Sequence, residues 1–247
     1  MKHFLATRFN IRLEGWDTTK NNAPLNTDQW LKQRFYLFEN YCLPSVKNQT
    51  CQNFRWFLFF DVNTPSFYRN RIQYLVHLYP HIRPIYVEKF ATIEEMQYPL
   101  INNIKRLVSK EEYIITTTLD NDDLLHKDFI TTLQQLYRPV NKTVIDLING
   151  YQVTLNPCQV RLSQNHFNPF VSVVEHIDDL ETVFSKKHFD WQQSDKVISF
   201  DKKRLWVELV HTHNKNNDTR EGLEKINSIN SRNFGLSPYQ FHTKSMK

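Results

Sequence analysis

Apolar and polar residues alternate along the first half of the chain in two rhythms. After Asp28, Leu31, Phe35, Phe38 and Cys42 recur at i, i+4, i+7 and i+11, the spacing that stacks side chains on one helix face. Asn26, Thr27 and Asp28 offer caps upstream, and Pro44 is expected to stop the helix. Ile72, Leu75, Val76 and Tyr79 make a second such face; Leu100, Ile101, Ile104, Leu107 and Val108 a third; Phe129, Ile130, Leu133 and Leu136 a fourth.

Between these faces lie short, nearly unbroken apolar runs. A first strand is expected from Phe4, ending near Arg8 or continuing to Leu13. The aromatic run from Phe54 to Phe60, the segment from Ile82 to Val87 and the β-branched run from Tyr113 to Leu119 also read as strands. They are too short for helices, and unbroken apolarity suits strands covered on both faces. Strand and helix alternate in this way to about residue 140, which predicts an α/β fold with a doubly wound, mostly parallel sheet flanked by helices. Ligands of such sheets bind beyond the C-terminal strand ends, and Asp61 and Asp120 stand at two of them.

Later strand-like segments run from Val144 to Ile148, from Tyr151 to Leu155 and from Leu205 to Val210, with a less regular stretch through Pro169. They read as an extension of the same domain, to about residue 213. The remainder, 214–247, is a polar tail in which Phe234, Leu236, Tyr239 and Phe241 offer docking side chains.

Composition narrows the classes. A hydrophobic fraction of 40% with 34 aromatic residues (18 Phe, 11 Tyr, 5 Trp) supplies enough apolar surface for a core and excludes a disordered chain. The net charge of +5 suits an anionic partner such as a nucleotide diphosphate or an acidic membrane surface. Lys and Arg are scattered, so nucleic acid is not an expected partner. No apolar run reaches the ~18 residues of a membrane span, and no signal-peptide h-region is visible. Cys42, Cys51 and Cys158 form no CxxC pair and are odd in number, which fits a reducing cytoplasm. A cytoplasmic protein, with at most peripheral contact at a membrane, is expected.

Glycines occur at 15, 150, 222 and 235 alone, so neither a dinucleotide fingerprint nor a phosphate-binding P-loop can be written. A bound diphosphate would need another source of positive charge, and a carboxylate-held divalent ion provides it. Asp120-Asn121-Asp122-Asp123, directly after an apolar β-run, supplies such carboxylates. A helix cap needs one Asp, not three, and Leu124 and Leu125 exclude an EF-hand loop.

Asp120-Asn121-Asp122 is similar to the DXD motif of GT-A-fold glycosyltransferases. More narrowly, the ordered set Leu43-Pro44-Ser45-Val46 with Gln49, Phe54-Arg55-Trp56 leading to Asp61 and Thr64-Pro65, Leu119 to Asp123, and Trp206 to His211 with Asn214 resembles the bacterial rhamnosyltransferase family. Thr118 stands where the family pattern has arginine. The resemblance covers about Thr7 to Asn214 and implies a GT-A-like fold with a donor half to about residue 140 and an acceptor half over 141–213. It implies transfer of a sugar, rhamnose by the family label, from a nucleotide-sugar donor to a glycan, lipid-linked or other hydroxyl acceptor.

The same resemblance implies roles for individual residues. Asp120, Asp122 and His211 would hold Mn2+ or Mg2+, with His213 able to substitute for His211; a lone histidine is otherwise an ordinary surface or core residue. Asp61 would accept a hydrogen bond from the donor base, unless it only forms the turn before Asn63-Thr64-Pro65. Thr7, Arg8 and Asp120 would flank the nucleotide, Arg8 pairing with phosphate or bridging to a surface carboxylate. A carboxylate must also deprotonate the acceptor. Glu175 is the first candidate and Asp123 another, with Asp178, Asp179 and Asp190 as rivals. Two other classes stay open: a nucleotidyltransferase of related fold, and a non-catalytic carbohydrate- or nucleic-acid-binding module using its aromatics.

Overall fold

The four apolar runs of the first half form strands β1 (Lys2–Arg8), β2 (Arg55–Asp61), β3 (Ile82–Val87) and β4 (Tyr113–Thr118). They pair in parallel, β1 lying between β2 and β4. Helices α1 (Asp28–Leu37), α2 (Leu43–Lys47), α3 (Ser66–Leu78) and α4 (Gln97–Lys105) connect them. The computed structural model describes residues 1–19, 21–109, 112–211, 214, 218–238 and 240–241.

Beyond β4 the chain forms β5 (Leu124–Leu125), α5 (Phe129–Leu136), β6 (Thr143–Leu147), β7 (Asn149–Leu155), β8 (Cys158–Gln164), β9 (Ser172–His176), β10 (Val197–Phe200), β11 (Trp206–Val210) and β12 (Lys225–Ile226). The large sheet has the order β10-β6-β9-β4-β1-β2-β3. Because β9 is antiparallel to both β4 and β6 while β10 follows β6, every strand but β9 runs the same way. The fold is therefore α/β with a mostly parallel central sheet, as the alternation predicts. The extension divides between two sheets: β6, β9 and β10 widen the large one, while β7, β8 and β11 join β5 and β12 in a second sheet of order β12-β8-β7-β11-β5, beside the C-terminal end of β4.

Two expectations about elements need correction. Pro44 does not end the first helix: α1 passes through a π-turn at Phe38–Cys42 into α2, with Pro44 in the first turn of α2. The π-turn shifts the hydrogen-bond ladder by one residue immediately before Pro44, which accommodates a residue without an N–H inside the continuing helix. The irregular stretch through Pro169 contains β8, whose Arg161 and Ser163 hide its strand character. Both side chains are buried, paired across the second sheet with Gln152 and Gly150 of β7.

Apolar side chains pack on both faces of the large sheet. Ile115, Phe38, Trp56 and Phe129 lie on one face, and Phe4, Phe57, Leu100 and Trp191 on the other. A third cluster joins Val153, Val160 and Val207 of the second sheet to Phe234, Leu236 and Phe241 of the tail. Tyr239 lies outside the described residues.

The core also holds titratable groups with a stability consequence. His3 is buried with Nε2 against the Thr117 hydroxyl at 2.9 Å, and burial lowers its pKa to about 3. The unfolded chain, near 6.5, takes the proton first as pH falls, so this stability is present above about pH 6.5 and is lost on the way down to about pH 3. Glu175 acts in the opposite sense. Burial raises it to about 7, against the pull of two backbone N–H groups, so its contribution is present below pH 4.5 and lost as pH rises towards 7. In His3→Gln, the drop in unfolding free energy between pH 6.5 and 5 is expected to shrink by about 2 kcal/mol, measured by urea denaturation at each pH. An unchanged drop would show that His3 does not carry the acid sensitivity.

Candidate functional site

The parallel pairing of β1 and β4 sets Ala6 opposite Thr118, so Arg8 and Asp120 leave the sheet side by side. Arg8 Nη2 donates to Asp120 Oδ1 at 2.8 Å, both side chains partly exposed. Asn121 turns inward, its Nδ2 donating to the Phe9 carbonyl at 2.9 Å, which ties the two strand-end loops together. The next residues enter β5, and β5 pairs antiparallel with β11, Leu124 opposite Val207. Moving back from Leu124 to Asp122 thus corresponds to moving forward from Val207 towards His211. That register closes the site.

Asp122 is its centre. Its Oδ2 accepts from Arg34 Nη1 at 3.1 Å and from Asn214 Nδ2 at 3.1 Å, and lies 2.8 Å from His211 Nε2. Arg34 also donates to Asn121 Oδ1, and its guanidinium lies over the Trp30 ring. His211 is tied to Asn214, whose Oδ1 accepts from the His211 backbone N–H at 2.6 Å. Burial works against the Asp122 charge, yet Arg34 and His211 outweigh it and hold this carboxyl far below the ordinary range. The site therefore presents a permanent carboxylate at 4% exposure beside a guanidinium at 12%.

A second region opens beyond β1 and β2. Asp61 accepts from Arg12 Nε and, at 3.1 Å, from Nη2, and from the Asn63 backbone N–H. Burial opposes its charge, but these donors prevail and lower its pKa. Asp61 and Arg12 line a cavity of about 450 Å³ with Asn10, Trp16, Asn26 and Thr64. A planar ring and a stationary carboxylate in one concavity suit a base or a ribose.

The sequence-derived residues divide accordingly. Arg8, Asp120, Asp122 and His211 come together, and Asp61 lines the neighbouring cavity. Thr7 does not reach the site: it is fully buried, and its hydroxyl accepts from Trp56 Nε1 at 2.8 Å. Asp123 is equally buried, with Oδ1 accepting from the Leu209 N–H at 2.9 Å. Burial, then Asp122, Asp120 and Glu208, push its carboxyl well up. A carboxyl with no exposed atom and one oxygen bound to the Leu209 backbone cannot reach an acceptor hydroxyl; its role is to fasten β11 to the loop.

Glu175 is also corrected. It pairs with Ile114 at the opposite end of β4 from Asp120, and its carboxylate accepts from the Glu181 and Thr182 backbone N–H groups at 3.0 and 2.9 Å. It caps a turn, away from the site. Asp178 and Asp179 are exposed near that same end. His213 lies outside the described residues. Arg34, Arg12 and Asn10 were not anticipated; the one signal for Arg34 was a charged residue adjoining the apolar stripe of α1.

Two carboxylates and an imidazole are a suitable donor set for manganese or magnesium. Asp122 and His211 fit as neighbouring ligands. Asp120 is turned to Arg8, and among the described residues no three His, Cys, Asp or Glu side chains are gathered to hold one ion.

Residues 3–223 match the model of a family described as "Putative rhamnosyl transferase". The chain belongs to this family. No curated protein matches the sequence. Among solved structures, S. aureus TarS residues 1–349 is similar at TM-score 0.48 and 11% identity over 85% of this chain and 60% of that one. The same protein in complex with UDP-GlcNAc gives 0.49 and 10% over 87% and 60%. Full S. aureus TarS gives 0.46 and 13% over 85% and 37%. The chain thus spans 60% or less of the chains it resembles. Within the rhamnosyl transferase family match fall Arg8, Arg34, Asp61, Asp120, Asp122, His211 and Asn214. No helix among the described residues is long and apolar enough to cross a membrane.

Proposed function

We propose that the chain is a glycosyltransferase that moves a sugar, rhamnose by its family's description, from a nucleotide-sugar donor to a hydroxyl of a glycan, lipid-linked or other acceptor. The convergence of Arg34, His211 and Asn214 on Asp122 at the C-terminal edge of the parallel sheet carries this reading, because doubly wound sheets bind ligands at that edge. The donor's base and ribose enter the cavity of Asp61 and Arg12. Its diphosphate lies towards Arg8 and Arg34, whose charges stabilise the negative charge that develops as the sugar departs. A manganese or magnesium ion, when bound, would be held by Asp122 and His211 and supplies Lewis-acid charge beside the same diphosphate. The place of work is the cytoplasm or the surface of a membrane.

Calorimetric titration with UDP, GDP and dTDP, each with manganese and with chelator, tests the donor site. One nucleotide is expected to bind, more tightly with manganese, and Asp61→Ala is expected to weaken it about tenfold through loss of a charged hydrogen-bond partner. If none of the three binds, the donor-site reading fails and a non-catalytic carbohydrate-binding module takes its place.

A further inference from the structure

A second ordered pair of titratable side chains lies on the same edge of the large sheet, apart from the Asp122 cluster. Asp146, near the end of β6, is fully buried, whereas the ring of His166 is 60% exposed. His166 Nδ1 meets Asp146 Oδ2 at 2.9 Å, and the other carboxylate oxygen accepts from the Phe167 N–H at 3.0 Å. Phe167 adopts a φ of 49°, a left-handed conformation that non-glycine residues adopt sparingly. Such strain persists where surrounding contacts demand it. Here the turn lets one carboxylate hold both the ring and the backbone behind it, and the Phe167 carbonyl accepts from His188 at 2.5 Å.

The register places this pair relative to the donor site. Ile145 and Thr117 both pair with Ser172 of β9, so Asp146 and Thr118 stand level, two strand spacings or about 10 Å apart. Asp120 follows Thr118 by two residues. Glu208, which feels the charge of both Asp122 and His188, lies between the two groups. Arg204 and Arg220 approach the strand that leads into the turn through hydrogen bonds to Ser163, and Lys187 adjoins His188 in the chain.

We propose that His166, oriented by Asp146, is the general base that accepts the proton of the acceptor hydroxyl, an assignment that rests on the glycosyl-transfer reading above. With Nδ1–H donated to Asp146, Nε2 carries the free lone pair. The acceptor's O–H bond breaks as its proton passes to Nε2, and the oxygen forms a bond to the anomeric carbon. The bond from that carbon to the diphosphate oxygen breaks, and its electron pair leaves on the nucleoside diphosphate. Asp146 stabilises the imidazolium, as a buried carboxylate does behind a catalytic histidine, until the proton passes to water. Asp146 is a positioning residue. Glu175, at the other end of the sheet, cannot take this role.

The test uses the full chain with water as acceptor, reading nucleoside diphosphate release from UDP-, GDP- and dTDP-linked sugars, with nucleotide binding measured in parallel. His166→Asn is expected to lower kcat about 100-fold while nucleotide affinity and the thermal midpoint stay unchanged. Asp146→Asn is expected to lower kcat about tenfold with the KM for the nucleotide-sugar unchanged, the split expected when a reacting group is misoriented and binding is intact. Asp146 is buried; if its variant melts early, His166→Asn alone decides. Wild-type kcat in His166→Asn would overturn the assignment and leave the donor site standing, as would a loss confined to His188→Asn. Absence of nucleotide binding to the unaltered chain would instead overturn the glycosyl-transfer reading on which it rests.

Discussion

Replacing Asp122 with alanine is expected to lower sugar transfer about 100-fold or more. Three side chains from separate parts of the chain meet on this one carboxylate: Arg34 from α1, and His211 and Asn214 beyond β11. Its removal deprives any bound cation of its ligand and leaves the 12%-exposed guanidinium of Arg34 without its carboxylate. Breaking such a buried pair typically costs about 3–5 kcal/mol, so the alanine variant is expected to be less stable as well as inactive. Asp122→Asn separates the two effects. The amide keeps the shape and one acceptor oxygen but loses the charge, so a variant that melts close to wild type yet turns over about 100-fold more slowly places the effect in charge. Parallel kcat and thermal-unfolding measurements decide, and wild-type kcat in Asp122→Asn would remove Asp122 from the mechanism.

Trp206→Ala is expected to destabilise the fold by about 3–5 kcal/mol in urea denaturation, the range for deleting a large buried aromatic side chain. Trp206 begins β11 of the second sheet, is fully buried, and stacks on Phe170 at 5.0 Å and 18°. Its Nε1 donates to the Leu147 carbonyl of β6 at 2.7 Å, which fastens the second sheet to the first. The ring fits because position 150 has no side chain: a Cβ there would stand 2.1 Å from the indole. Gly150→Ala should therefore be destabilising by itself and much less so when Trp206 is also alanine, since neighbouring residues competing for one space are not additive. Additive effects would show that the two positions do not share that space. As β11 carries the chain to His211, the single variants should lose transfer activity along with stability.

The helical faces at Leu31, Ile72, Leu100 and Phe129 and the strands at Phe54, Ile82 and Tyr113 were legible because each depends on local periodicity, which neighbouring residues impose on one another. The acidic loop was legible for a related reason: three carboxylates directly after an apolar strand are costly to gather without a compensating cation. Pro44 misled because its effect depends on its position in the helix turn, and the π-turn before it sets that position. β8 was hidden by polar residues whose partners lie on β7, and β9 by Glu175, whose charge is satisfied by backbone six and seven residues later.

By itself, then, the sequence determined the α/β order and the acidic loop from Asp120 to Asp123 at the C-terminal end of an apolar strand, the candidate donor loop. Only the tertiary structure decided that Arg34 and His211 share one carboxylate oxygen, that Asp123 and Glu175 are held away from solvent, and that His166 stands over Asp146. Those outcomes rest on pairings such as Leu124 with Val207 and Ile145 with Ser172. Residues far apart in the chain meet through strand register, and register is fixed by the packing of whole sheets, which no local pattern encodes.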